Sequence, residues 1–269
     1  MNTYKIPNSL KEQLEYDYLY SNMTTLQILD KYNCSWHTLY NTLNRFNIPK
    51  KGLVKNKINE YIFHNLNNKS SWLLGLFLTD GYVNKINNHH YIQIGFNDLD
   101  LINRVHNLLE STSKISYNSK KKYYYFKNTS KILYDKLNNL EVHKNKTFDV
   151  KMPNCSEENF PHLFRGIFDG DGCVFKHKKS NTIISVGVSI VSASYYFLYR
   201  IKEMFDLYTD IRCRIYSPKG TNYHRLLFST LNSEKLFHWM YSGSYLIRHE
   251  NKYNKFVSIM KLRKNNINI

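Results

Sequence analysis

Long apolar runs are missing from this chain of 269 residues. A membrane span needs roughly 20 consecutive apolar residues, and the opening MNTYKIPNSLKEQ lacks the apolar segment of a signal peptide. A soluble, intracellular protein without a membrane partner is therefore expected. Paired cysteines are missing too. Cys34, Cys155, Cys173 and Cys213 stand far apart with no C-x-x-C pair, which argues against a zinc site or disulfide frame and suits reduced thiols. The eleven histidines show no ligand-type spacing. Acids are scarce: 21 Asp and Glu against 38 Lys and Arg leave a net charge of +17. Such a surplus calls for a polyanionic partner, and with membrane set aside that partner is nucleic acid. Hydrophobic residues still make up 42% of the chain, so it can fold around a core rather than remain disordered.

The first fifty residues read as a compact helical unit. SLKEQLEYDYLY predicts one helix, and TTLQILDKY predicts a second with Leu26, Ile28, Leu29 and Tyr32 as its apolar positions. Ser35 is a good N-cap for a third helix, which the spacing i, i+3, i+4, i+7 packs through Trp36, Leu39, Tyr40 and Leu43. Helix, short turn and capped helix resemble a helix-turn-helix over residues 1–50. Its outward face would carry His37, Thr38, Asn41, Thr42 and Arg45, with Lys50 and Lys51 just beyond. The stretch KKGLVKNK, residues 51–58, reads as a basic linker.

The remainder repeats. Gly75-Leu76-Phe77 and Asp80-Gly81 recur as Gly166-Ile167-Phe168 and Asp171-Gly172. Each copy is followed by an extended segment, a helical pattern, basic aromatic strands and a closing helix. Two α+β halves are expected, 59–153 and 154–269. The strand SKKKYYYFK carries lysines without one acid, and alternation buries either Tyr124 or its neighbours Tyr123 and Tyr125.

The nonamer FRGIFDGDG sets two acids and three glycines in an otherwise apolar helix. Gly172 suits a left-handed helix cap, which puts Asp171 at the negative helix end. A carboxylate there is favourable only against a cation. Gly166, like Gly75 in the first copy, allows a second helix to approach closely. Side by side, the two helices bring Asp80 and Asp171 together, and two such carboxylates repel unless they share a divalent ion. Oxygen ligands suit Mg²⁺, with Mn²⁺ or Ca²⁺ able to take the same place. Such an ion supports phosphodiester hydrolysis.

The two nonamers, LLGLFLTDG and FRGIFDGDG, resemble the motif of LAGLIDADG homing endonucleases of the single-chain, two-motif type. The resemblance covers about residues 59–262. It implies two pseudo-symmetric αββαββα halves that form DNA-binding saddle sheets. It also implies metal binding by Asp80 and Asp171, with help from the carbonyls of Thr79 and Gly170. The sixth motif position is Asp169 in one copy and Leu78 in the other, a position at which family members vary. A basic residue near each scissile phosphate is implied too. KNKTFDVKMP nominates Lys146, while the second half leaves Arg248, His249 and Lys252 open. By position, Asn97 and Ser192 would order water. DNA contacts are expected from Lys120, Lys121, Lys122, Lys127, Lys176, Lys178, Arg212, Arg214, Lys219 and Arg225. The implied partner is double-stranded DNA with a long asymmetric target, bound by a monomer. A non-cleaving regulator or an RNA maturase on the same fold is the alternative. Such relatives tend to lose one or both motif acids, and both are present here.

Overall fold

The computed structural model describes residues 6–21, 23–50, 56–178, 184–243 and 247–267; of Lys178 and residues 264–267 it describes the backbone alone. Lys51, expected to touch DNA, lies outside the described residues, as does the side chain of Lys178. The chain divides into two compact units, Met1–Lys55 and Asn56–Ile269.

Among its described residues the first unit holds a 3-10 turn at Asn8–Leu10 and three α-helices, α1 (Lys11–Leu19), α2 (Thr25–Lys31) and α3 (Trp36–Phe46). Thr24 and Gln27 form a capping box on α2, and the Ser35 hydroxyl accepts from the Thr38 amide at 3.2 Å to start α3. Between them Asn33 takes a left-handed backbone with φ 42°. The buried Asp17 carboxylate accepts from Lys31 Nζ at 2.6 Å and from the Tyr32 hydroxyl at 2.8 Å, tying α1 to α2. Burial favours its proton, yet the bonds from Lys31, Tyr32 and Gln13 together hold it below the usual carboxylate value.

The face buried by α3 differs from the expected one. Leu39, Thr42, Leu43 and Phe46 are inside, whereas Trp36 is 57% and Tyr40 40% exposed. The same i, i+3, i+4, i+7 spacing fits both sets, which share Leu39 and Leu43. The helix end decides between them. Asn47, left-handed at φ 54°, turns the chain so that the Ile48 amide bonds to the Leu43 carbonyl at 2.9 Å and Ile48 packs inward. Thr42 thus leaves the outward face, its hydroxyl donating to the Thr38 carbonyl at 2.8 Å. Leu26 is exposed as well, since α2 turns Ile28 into the core.

The second unit repeats one topology. The first half runs α4 (Asn68–Thr79), β1 (Tyr82–Ile86), β2 (His89–Phe96), α5 (Leu99–Leu108), β3 (Ser116–Asn118), β4 (Tyr123–Thr129) and α6 (Lys131–Asn139). The second runs α7 (Phe160–Asp171), β5 (Gly172–Lys178), β6 (Ile184–Ser192), α8 (Tyr195–Tyr208), β7 (Cys213–Tyr216), β8 (His224–Phe228) and α9 (Thr230–Tyr241). Each half is the αββαββα unit, with antiparallel sheets ordered β1-β2-β4-β3 and β5-β6-β8-β7. A further helix, α10 (Glu250–Ile267), was not anticipated; it packs on β5 and β6 and buries Phe256, Ile259 and Met260. Of the expected linker, Lys57 already belongs to this unit, since its amide donates to Thr112 Oγ1 at 2.8 Å.

Helices cover one face of each sheet and leave the other open. The register decides what faces which way. Val83, Ile92, Ile94 and Phe126 point to the helices, and Tyr124 shares that side. Tyr123, Tyr125 and Lys127 therefore take the open face. Lys120, Lys121 and Lys122 are not on a strand, as SKKKYYYFK suggested. They form the β3–β4 turn, with Lys122 left-handed at φ 53°.

Helices α4 and α7 meet at glycine. A Cβ on Gly75 would strike the Leu163 carbonyl and lie 2.7 Å from the Ile167 nitrogen; one on Gly166 would strike the Trp72 carbonyl. Contacts advance in one sense along both helices, from Trp72 against Gly166 to Thr79 and Asp80 against Gly170. The helices are therefore parallel and end together. Gly172 corrects a second expectation: it is extended, at φ −76° and ψ 150°, and begins β5. Its need for glycine is steric, because a Cβ would strike the Phe168 ring, as one on Gly81 would crowd Phe77 Cδ1 at 2.5 Å.

Candidate functional site

The two motif acids stand at the joined helix ends. Asp80 caps α4, and Asp171 is the last residue of α7. A Cβ on Gly170 would lie 2.7 Å from Asp80 Oδ2, so the second helix end abuts the first acid. Terminal carbonyls make both ends electronegative. Burial pushes the Asp171 carboxyl up to about 6, the negative charge of Asp80 adds to this, and Lys252 and Lys146 oppose it. Asp80 is also raised by burial, against a hydrogen bond from the Thr79 hydroxyl at 3.0 Å and the same two lysines. Both residues keep an exposed edge, and the partial enclosure of their carboxyl groups, with the repulsion of Asp80 on Asp171, favours the protonated forms.

Two lysines flank them. Lys146 Nζ donates to the carbonyls of Thr79, at 3.2 Å, and Gly81. Lys252 Nζ donates to those of Phe168, at 3.0 Å, and Gly170, at 2.6 Å. Burial lowers the pKa of each, and the nearby aspartates hold it up. The sequence left three basic residues open in the second half; the geometry puts Lys252 opposite Lys146. Arg248 is engaged elsewhere, 3.3 Å from Glu250 and over the Tyr253 ring at 3.4 Å. His249 borders the cleft, but its amide donates to Asp169 Oδ2 at 2.9 Å and its Nδ1 faces Asp98 at 3.7 Å.

Two buried residues that the repeat did not single out support the pair. Trp72 Nε1 donates to the same Asp169 oxygen at 2.8 Å, linking α4 to α7 and to the segment that carries Lys252. Burial pushes Asp169 up to about 6. Arg165 is fully buried and donates to the Met240 carbonyl at 2.8 Å and the Ile247 carbonyl at 3.1 Å. An arginine on an otherwise apolar helix was the signal for it.

A cleft of about 550 Å³ opens above the helix ends, lined by Asp80, Asn97, Lys121, Gly170 and Lys252 among others. Asn97 is exposed on its wall. Ser192, its counterpart in the second half, is not among the residues of this cleft, and its hydroxyl accepts from the Ser194 amide at 3.1 Å in the turn into α8. Among the described residues no group of three or more His, Cys, Asp or Glu side chains is placed to hold a metal. A cation here would rest on Asp80, Asp171 and backbone carbonyls, those of Thr79 and Gly170 foremost.

The expected DNA contacts divide. Lys127, lying over the Tyr91 ring at 3.7 Å, is on the open face of the first sheet, and Arg214 and Arg225 are on that of the second. Lys176 pairs with the buried Val186, so the register turns it to the helix-covered side instead. Arg212 precedes β7 and is drawn to the Thr209 carbonyl at 3.0 Å. Lys219 is exposed in the β7–β8 connection. In the first unit, Asn41 Nδ2 bonds to His37 at 3.0 Å on the exposed side of α3, and Lys50 lies over the Tyr40 ring at 3.7 Å. Arg45 was expected to face outward to DNA. It is exposed, and its guanidinium also bonds to the Ile6 carbonyl and lies over Phe46 at 4.6 Å.

The model of the LAGLIDADG-like domain matches residues 67–145 and again residues 162–239. The chain belongs to this family. Among solved structures it is similar to the LAGLIDADG meganuclease I-AabMI bound to uncleaved DNA, at 14% identity over 74% of this chain and 92% of that one, with a TM-score of 0.54. It is likewise similar to the LAGLIDADG homing endonuclease I-LtrWI bound to target DNA, at 13% identity over 75% and 92%, TM-score 0.53. I-DmoI in complex with DNA and Mn aligns at 17% identity over 67% and 100%, TM-score 0.48. No curated protein matches the chain. At these identities the neighbours share the fold.

Proposed function

We propose that the second unit is a site-specific double-strand DNA endonuclease that hydrolyses phosphodiester bonds with a divalent cation, Mg²⁺ by choice. The observation that carries this reading is the pair Asp80 and Asp171 at one end of two parallel helices, each beside a lysine. The donors fit a dication. Two carboxylates whose protonated forms are favoured by partial enclosure, and for Asp171 by the charge of Asp80, are relieved by a shared positive charge. The Thr79 and Gly170 carbonyls each accept from one lysine and keep a second lone pair. Bound there, the ion would supply Lewis acidity and a water made nucleophilic at neutral pH.

The chain's own groups do the rest. Lys146 and Lys252 are anchored by backbone carbonyls, so their charge is fixed where a phosphate gains negative charge in the transition state. Asn97, with a donor and an acceptor at the cleft wall, orients water. Lys127, Arg214 and Arg225 track phosphates along the open faces. Related proteins of known structure, I-AabMI and I-LtrWI, are bound to DNA, which supports a DNA substrate.

The test is direct. Purified protein and Mg²⁺ are incubated with a randomised plasmid library, and a unique double-strand cut is expected. Tight, specific binding without any cut would leave the non-cleaving regulator as the better reading.

We also propose that the first unit is a helix-turn-helix DNA module acting through His37, Asn41 and Lys50. Its reach into phosphates is small, because residues 1–55 carry seven Lys and Arg against four Asp and Glu. Deleting residues 1–55 should shorten the footprint and weaken binding while the cut position stays. The slope of log affinity against log salt should become shallower by about one to two. An unchanged footprint and slope would make this unit a partner or folding module.

A further inference from the structure

We propose that Lys121 contacts the DNA backbone at the Asp80 side of the cleft and makes the two strands unequal substrates. The proposal rests on the nuclease reading above. Lys121 is fixed where it stands. Its amide donates to Asn118 Oδ1 at 3.0 Å inside the β3–β4 turn, and the left-handed Lys122 closes that turn. Next, Tyr123 lays its ring on Gly95, where a Cβ would come within 2.8 Å. Phe96 pairs with Tyr124, so the turn stands at the Asn97 end of the sheet. That is the end where the chain leaves Asp80 for β1, and Lys121 lines one cleft with Asp80, Asn97, Gly170 and Lys252.

Its charge is uncommitted. Arg104, Lys131, Arg200, Lys202 and Lys235 each pair with an acid within 4 Å. Among the described residues Lys121 has no such partner, and it lines the cleft that holds Asp80. A cation so placed gains most from an anion entering the cleft, and in a DNA complex that anion is the phosphate nearest the site.

Among the described residues, the second half is arranged differently at the matching turn. Its β7–β8 connection is tied down locally: Ser217 Oγ bonds to His224 Nδ1 at 2.6 Å and the Thr221 hydroxyl bonds to the Pro218 carbonyl at 2.9 Å. Lys219 is exposed in that connection and is not among the residues of the cleft on the Asp80 side. Nor do the neighbouring positions match. Thr79 faces Gly170 across the pseudo-symmetry, and Asn97 faces Ser192, whose hydroxyl is used in a turn. Among the described residues, the Asp80 side of the helix pair thus brings Lys121 and Asn97 to one cleft, and the matched positions Thr79/Gly170 and Asn97/Ser192 differ in sequence.

The experiment follows both strands of a labelled duplex carrying the target, in Mg²⁺ with enzyme in excess. Lys121→Met should slow one strand by about tenfold or more while the other is cut at the unaltered rate, so nicked plasmid accumulates. Lys121→Arg should restore most of the lost rate. Lys122→Met, next to it but away from the cleft, should weaken binding and slow both strands alike. Equal slowing of both strands by Lys121→Met, or none, overturns the proposal while the nuclease reading stands. Absence of any cutting by the unaltered protein overturns both.

Discussion

Asp80→Asn and Asp171→Asn are each expected to abolish double-strand cutting, by at least about a thousandfold, while DNA binding stays close to that of the parent. Asparagine keeps the shape and one oxygen but loses the charge that a divalent ion needs. The basic open faces, to which the proposal assigns affinity, are untouched. On the proposed reading each half would address one strand, so slow nicking can survive a single change. A normal rate of double-strand cutting by either variant would remove both acids from the chemistry.

The same variants should differ from the parent in stability, with a sign fixed by burial. In the folded protein the Asp171 carboxyl titrates at about 6, above its unfolded value of 3.8. The folded state therefore binds that proton more tightly, and its stability falls as pH rises through this window. Asp171→Asn should accordingly melt higher than the parent at pH 7 without divalent ions. That gain should shrink as the pH is lowered through 6 toward 4. Adding Mg²⁺ should raise the melting temperature of the parent alone. A variant that melts lower than the parent at pH 7 would mean that the acids do not strain the fold.

Gly75→Ala and Gly166→Ala are each expected to destabilise the second unit by about 3 kcal/mol, at the upper end of ordinary overpacking. A melting temperature lowered by about 6–12 °C follows for a unit of this size. The cost is high because the new methyl meets backbone: the Leu163 carbonyl for Gly75 and the Trp72 carbonyl for Gly166. No rotamer change relieves such a contact, so the helices must separate. Separation also pulls Trp72 from Asp169, breaking a buried hydrogen bond of 2.8 Å and loosening the segment that carries Lys252. Cutting should fall with stability, most of all in Gly166→Ala, which strikes the Trp72 backbone itself. Unchanged melting in both variants would mean that the helices do not meet at these glycines.

Much of this was legible in the sequence because it is written at short range. The repeated Gly-Leu/Ile-Phe and Asp-Gly spacing exposes two copies of one unit, and a carboxylate at a helix end beside close-packing glycines implies a shared cation. The capped turn at Ser35 likewise needs only neighbours. Phase and facing were another matter. Trp36 and Tyr40 fit the apolar spacing of α3, yet the fold buries the overlapping set that Ile48 completes. That exposed Arg45 also reaches the Ile6 carbonyl, 39 positions away, needs the fold to show it. Lys176 needs the strand register to show which way it points. Lys252 meets Gly170 across 82 positions of chain, and nothing in the residues between them ranks it above Arg248 or His249. Composition and periodicity record which groups a chain owns and how they repeat locally. Which of them share a cleft depends on contacts between distant segments, which only the packed helices and sheets of the tertiary structure bring together.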